Sequence, residues 1–440
     1  MAKRPCLSDN SPRASKRNYD QFNTDVLLES LFAVSDSALI DASLNGLVES
    51  RSTDSDQNDF IQRVLHLGSV FLEAGNRCAR KHSSVHNALV WPLSPDLTIK
   101  VFSMLDTPSV CSAAATCSFF QKCAIDPLCY VNIDLAGLNP EVNDAVVSTV
   151  IERAANALQS IKLGVLPPSS FRDFGDDLEF PWNDELARLG KMLPILSGSC
   201  LSSLNVNGYC LRRLHLYYIE RMDTIALMES LSVCPSLVDL EIVCLHVDIN
   251  DTLESVSGHC RLIKRFIYQS DLESDSMLQS LVCKEFVLNC PQITTLALKG
   301  CKLNDHSARV LVKGFHELKY LDFTDSYSFT GTFLKNLGTK GGGNSLEVLI
   351  LRECNLDRVE VKKFMKALLA GKFGLLRHLD ISKSSGSSLL PFLCEIFSSY
   401  LLKQRPNLCL VADFSKKMKS NTLDTVALMD LMLRYVFGKS

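Results

Sequence analysis

Three sets of residues have types and spacings that invite chemistry. Cys78, His82 and His86 stand four apart, so a helix lines them on one face, where a thiolate and two imidazoles suit zinc. A closed site needs a fourth ligand at useful spacing; none is nearby, and the stretch reads as a polar connector. Cys111, Cys117, Cys123 and Cys129 recur every six residues. Six residues turn an α-helix by about 240°, so neighbours point to different sides and read as small packing residues. Lys340-Gly-Gly-Gly-Asn344 is glycine-rich, but no strand-to-helix frame surrounds it to cradle a phosphate, and it reads as a loop. The patterns GxxxxGKS/T, HExxH, GxSxG and paired CxxC do not occur. No catalytic residue, metal or cofactor is assigned, and the chain reads as a non-enzyme whose work is binding.

Binding needs a scaffold, and the chain has room for one. Its 440 residues suffice for two or three domains, or for one domain plus a repeat array. Hydrophobic residues make up 46% and charged ones 22%, as in an ordinary folded protein. A net charge of −3 gives no electrostatic argument for nucleic acid. The 17 cysteines are odd in number, and the start, MAKRPCLSDNSPRASKRNYD, has no apolar signal core. Free thiols in a reducing compartment are expected. No apolar run approaches the length of a membrane span, so no membrane is expected as a partner.

Residues 1–20 read as a disordered basic tail. Lys3-Arg4 and Lys16-Arg17 flank an eleven-residue spacer, like a bipartite nuclear import signal; a merely solvated basic tail is the alternative. The expected location is the nucleus, the cytoplasm or both. Residues 21–88 form a helical N-terminal region and connector. Phe60, Ile61, Val64, Leu65, Leu67, Phe71 and Leu72 recur there at helical spacing, as in a cover for the next module.

Residues 89–135 change character. Ser94 suits an N-cap, Pro95 the first helical position, and Asp96 the positive end of the helix dipole. Leu97, Val101, Phe102 and Leu105 then make one apolar face. A second helix begins near Pro108 and Ser109, with Val110 and small residues on its face. Phe119 and Phe120 open a third, and 130–135 reads as a strand.

This stretch resembles an F-box. Leu93-Ser94-Pro95-Asp96-Leu97, then Val101-Phe102, Leu105, Val110, Thr116-Cys117 and Phe119-Phe120 fill the family's outline. Two departures are mild: the proline stands one place late, and Phe replaces a common Trp. A module of this size is at the limit of self-sufficiency, which agrees with the family's habit of covering an apolar face with a Skp-type adaptor docked on a cullin scaffold. The resemblance implies adaptor contacts at Leu93, Pro95, Leu97, Val101, Phe102, Leu105, Val110 and Phe120.

From Leu211 the period lengthens. Leu211-x-x-Leu214-x-Leu216 is followed by the same template at Leu237, Ile263, Ile293, Leu318, Leu346 and Leu376, at intervals of 26, 26, 30, 25, 28 and 30 residues. Period and template are those of leucine-rich repeats, with a strand and a helix in each unit. Cys301 and Cys354 follow two of the strands, and Cys234, Cys260 and Cys290 each precede a unit by three residues. This resembles the cysteine-containing class found behind plant-like F-boxes. Leu158-x-x-Ile161-x-Leu163 and Leu201-x-x-Leu204-x-Val206 are partial matches. The array is assigned to 136–415, with an insertion at 167–184 and a capping helix at 416–440.

The fold class is therefore α/β: a short three-helix module, then a solenoid with parallel strands inside and helices outside, behind a partly disordered helical arm. Because strand side chains alternate, the residues between the inward leucines face the concave side. From these, Arg213, Tyr217, Glu241, Arg265, Ile267, Lys299, Tyr320, Val348, Ile350, Arg352 and His378 are expected to meet a protein substrate. The resemblance implies the substrate-recognition subunit of a Skp–cullin–F-box ubiquitin ligase. An adaptor-binding scaffold or inhibitor that delivers no target, and a small-molecule-assisted receptor, remain as alternatives.

Overall fold

The computed structural model describes residues 24–34, 36–137, 141–165, 194–270, 276–337, 345–384 and 403–412. The basic tail, the 167–184 insertion, the glycine run at 340–344 and the capping helix at 416–440 lie outside the described residues. Two compact units are present, Met1–His86 and Asn87–Ser440.

The first unit is helical. Residues 24–32 form one helix, Ser37–Glu49 a second, capped by Asp36 accepting from the Ala38 N–H, and Asp54–Val90 a third of 37 residues. Thr53 caps the third by accepting from the Asp56 N–H at 3.1 Å. Neither the second helix nor the third buries a single residue.

The second unit carries three short helices, Pro95–Phe102, Thr107–Ala114 and Ser118–Ala124, and a ten-stranded parallel sheet. Its strands are β1 (Asn132–Ala136), β2 (Ser160–Gly164), β3 (Arg213–Tyr217), β4 (Asp239–Leu245), β5 (Arg265–Ser270), β6 (Thr295–Lys299), β7 (Tyr320–Asp322), β8 (Val348–Ile350), β9 (His378–Asp380) and β10 (Cys409–Val411). They pair strictly in chain order. The register stacks the template leucines: Leu214 on Leu240, Phe266, Leu296, Leu321, Leu349 and Leu379. All of them are buried, because each repeat closes its apolar side only against its neighbours. Outer helices return the chain between strands, and Asn143, Asp223, Asp248, Asn304 and Asp357 cap five of them. A 3-10 turn, Thr332–Asn336, replaces the helix between β7 and β8.

Six of the ten strands leave through one left-handed residue. Tyr218, Cys244, Gly300, Asp325, Glu353 and Lys383 all have positive φ, and all stand seven places after the first template residue. At Cys244 the ladder to β5 slips by one residue, a bulge that strengthens the local twist. In four of the six the next residue, Cys301, Ser326, Cys354 or Ser384, is buried and polar-tipped. Cys354 Sγ donates to the Phe323 carbonyl at 3.1 Å, and Ser384 Oγ to the Leu351 carbonyl at 2.6 Å. The thiol thus serves the turn after the strand, as the template predicts. Cys260 and Cys290 form a second ladder, their thiols reaching the carbonyls of Cys234 and Cys260 at 3.5 and 3.8 Å. Burial pushes the Cys234 and Cys290 thiols up to about 12.

Within the array assigned to 136–415, the partial match at Leu158 leads into the full strand β2, and β1 precedes it. A module boundary at 135 therefore falls inside β1. The second partial match is helical, with Leu204–Asn207 on the outer layer, as the short spacing to Leu211 required.

Candidate adaptor face and concave surface

The three-helix module is organised around Phe120. The Trp91 ring meets it edge-on at 4.8 Å, and Phe102 does so at 5.2 Å. Trp91 Nε1 donates to Thr98 Oγ1 at 2.8 Å, and that hydroxyl donates to the Ser94 carbonyl at 2.9 Å. Ser94 occupies the N-cap, but its side chain makes no capping bond; Thr98 and Trp91 tie down that end instead. The sequence reading missed Trp91, although an indole seven residues before a helical Thr is a usable signal. Asp106 caps the second helix by accepting from the Ser109 N–H at 2.8 Å. The Ser109 side chain and backbone hold its carboxyl below the usual range.

This packing sorts the predicted adaptor residues. Phe102 and Val110 are 2% and 0% exposed, so neither can touch a partner. They belong to the module's own core because Phe102 lies under Phe120 and Val110 faces inward from the second helix. Phe120 is partly buried at the centre of the aromatic cluster. Pro95, Leu97, Val101 and Leu105 are exposed, with Leu93 half-buried. Leu97 is 54% and the neighbouring Met104, which the sequence reading passed over, 74% exposed. Ile125 and Leu128 are also exposed.

Of the four cysteines spaced by six, Cys111 is exposed and Cys117, Cys123 and Cys129 are buried. Cys117 Sγ accepts from the Phe120 N–H at 3.4 Å, and Cys129 Sγ donates to the Cys123 carbonyl at 3.5 Å. Burial lifts the Cys129 thiol to about 11. Among the described residues, no group of three His, Cys, Asp or Glu side chains is arranged to hold a metal ion. Cys78, His82 and His86 are all exposed on the long helix.

The concave residues fall into two kinds. From β1 to β5 the charges neutralise one another. Lys162 reaches Asp134 at 3.4 Å, and His215 Nε2 lies 3.1 Å from Asp239. Arg265 bridges Asp239 and Glu241 at 2.6 Å each. Burial works against the ionised forms of Asp239 and Arg265. Hydrogen bonds from His215 and Arg265 nevertheless hold the Asp239 carboxyl low, and Asp239 and Glu241 hold the Arg265 guanidinium high. Arg213 donates to Asn132 Oδ1 at 3.0 Å. Tyr217 is 6% exposed, so it cannot anchor a target. Its ring stands against His215, and burial, then the Glu241 charge, push its phenol well up.

From β6 onward, Lys299 pairs with the buried Asp322 at 3.2 Å, and Tyr320 donates to the same carboxylate at 3.2 Å. Arg352 and Lys383 converge on Glu353 at 3.2 and 3.4 Å. The remaining predicted residues, Ile267, Val348, Ile350 and His378, are half-buried and form no ion pair among the described residues. Val348 and Ile350 lie in register between Tyr320 and Asp322 on one side and His378 and Asp380 on the other. Sequence spacing alone held the clue to the β4–β5 pairing, since Asp239 and Arg265 occupy the same template position one repeat apart.

No protein-family model matches the chain. F-box protein SKIP17 of Arabidopsis thaliana is 42% identical over 333 residues, covering 73% of this chain and 65% of that protein. F-box protein At4g02760 of the same plant is 34% identical, with 94% of this chain and 84% of that protein covered. A chain in the crystal structure of the Rad7 and Elc1 complex in yeast overlays at a TM-score of 0.43 with 11% identity, covering 85% of this chain and 96% of its own; a likeness that slight carries no argument. The match to At4g02760 runs through nearly all of this chain, module and array included, and most of that protein, and on that ground the chain belongs to the F-box protein family.

Proposed function

We propose that the chain is a non-catalytic substrate-recognition subunit of a Skp–cullin–F-box ubiquitin ligase. The observation that carries this reading is an exposed apolar face, Leu97, Val101, Met104 and Leu105, on a module whose interior is already filled by Phe102, Val110 and Phe120. Surplus apolar surface beside a complete core favours a partner. The face is proposed to dock a Skp-type adaptor and, through it, a cullin. The concave wall is proposed to hold a protein target near a charged ubiquitin-conjugating enzyme, raising its effective concentration there. Of the candidate contacts, Ile267, Tyr320, Val348, Ile350 and His378 remain the best placed, since the charged ones are occupied with each other. The basic tail is proposed to direct nuclear import.

The test is a paired pulldown. Leu97→Asp with Leu105→Asp should abolish capture of the adaptor while target capture persists. Ile350→Asp with Val348→Asp should do the reverse. Undiminished adaptor binding by the first variant would refute the docking face.

A further inference from the structure

We propose that the Asp54–Val90 helix pairs with the same helix of a second copy of this chain, as an antiparallel two-stranded coiled coil. The helix has 37 residues and buries none of them. Helices in proteins draw most of their stability from packing an apolar face, and here Phe60, Val64, Phe71, Ala74 and Ala88 are only half-buried. Leu67 and Val85, on the face, are 52% and 54% exposed.

The pattern states what kind of cover fits. A seam that begins at Gln57 and Phe60 recurs every seven residues up to Val85 and Ala88, and eight of its ten positions are apolar. Positions 59, 66, 73, 80 and 87, and 55, 62, 69, 76 and 83, on the far side, are polar without exception. A seven-residue period over more than four heptads specifies another helix of the same period, and a second copy always supplies one. Gly68 and Gly75, flanking the seam, have nothing within 4 Å, which leaves room for a close backbone approach.

Size chooses the direction. Bulk lies in the first half, at Phe60, Val64, Leu67 and Phe71; the second half is small, with Ala74, Cys78 and Ala88. A parallel pair would stack Phe71 on Phe71 and set Lys81 against Lys81. An antiparallel pair crossing between Phe71 and Ala74 sets Phe71 against Ala74, Leu67 against Cys78 and Phe60 against Val85 of the other copy. It also moves Lys81 away from its mate, opposite Val64. Two aromatic and six further apolar residues per copy would lose their remaining exposed surface along the seam.

Light scattering on the purified full chain tests the proposal. The expected mass is twice the chain's 48.8 kDa, and Phe71→Asp should halve it while adaptor binding is retained, so this outcome is independent of the ligase reading. A second variant tests direction. Leu67→Cys should give an intermolecular disulfide with Cys78 under mild oxidation by copper phenanthroline and oxygen, and Cys78→Ser should remove that link. In the unsubstituted chain the two Cys78 side chains would stand about 16 Å apart along the axis and should not join. A monomer at tens of micromolar would overturn the proposal, as would a Cys78–Cys78 link in the unsubstituted chain.

Discussion

Asp305 shows how one carboxylate joins two repeats. Its oxygens accept from the Thr330 N–H and hydroxyl at 2.9 and 2.8 Å and from the Thr332 N–H at 2.8 Å. Burial opposes its ionisation, but these donors prevail and hold its pKa below the ordinary 3.8. A depressed folded-state pKa means stability that is complete above the unfolded value and lost as pH falls through the folded one. Asp305→Asn should therefore cost about 1.5–3 kcal/mol at pH 7, the scale of hydrogen bonds to a charged group. Urea midpoints should show that difference shrinking as the pH is lowered below 3.8. A difference that stayed constant down to strong acid would mean the charge is not what the loop uses.

The strand-exit turn is the element in which repeats are tied to one another. Ser384 Oγ donates to the Leu351 carbonyl and accepts from the Cys354 N–H at 3.2 Å, so both buried backbone groups depend on it. Ser384→Ala should cost about 1–3 kcal/mol, the penalty for unpaired buried polar groups. Cys354→Ser should cost far less in the same unfolding experiment, because a hydroxyl can make the thiol's bond. The inward leucines and the cysteine turn were legible in the sequence because strand alternation and a recurring turn impose fixed spacings. β10 was not, since Asn407 and Ala412 stand where the template has large apolar residues on either side of Leu410. The N-terminal module was half legible. Helical spacing shows that Leu97, Val101 and Phe102 share a face, but only the position of Trp91 and Phe120 decides which of them is covered. On the concave wall the residue types were readable, but their mutual neutralisation was not, because it depends on which side chains of adjacent strands reach each other.

At the scale of the whole second unit, one apolar core runs without interruption from Phe102 in the three-helix module to Leu408 beside β10. The Thr107 hydroxyl accepts from the Asp134 N–H at 3.2 Å, pinning the module to β1. The module is thus the cap of the array as well as its proposed docking end. Val110→Asp should cost about 3–5 kcal/mol, the scale of an uncompensated buried charge. Hydrogen-exchange mass spectrometry should find faster exchange in β1 and β2 and no change in β7 to β9, since repeats feel only their neighbours. Leu97→Asp, at an exposed site, should leave all of these amides unaffected.

Strands laid down strictly in chain order also make the sheet a ruler. Neighbouring strands are about 4.8 Å apart, and β8 stands seven steps from β1, so a target held at Val348 and Ile350, as proposed above, would hang roughly 34 Å along the wall from the proposed docking face. Each inserted or deleted unit would slide the grip by one graduation and present a different stretch of the captive's surface to the transferring enzyme. On the proposed function, the number of repeats would thereby set which lysines come within reach, whichever side chains do the gripping.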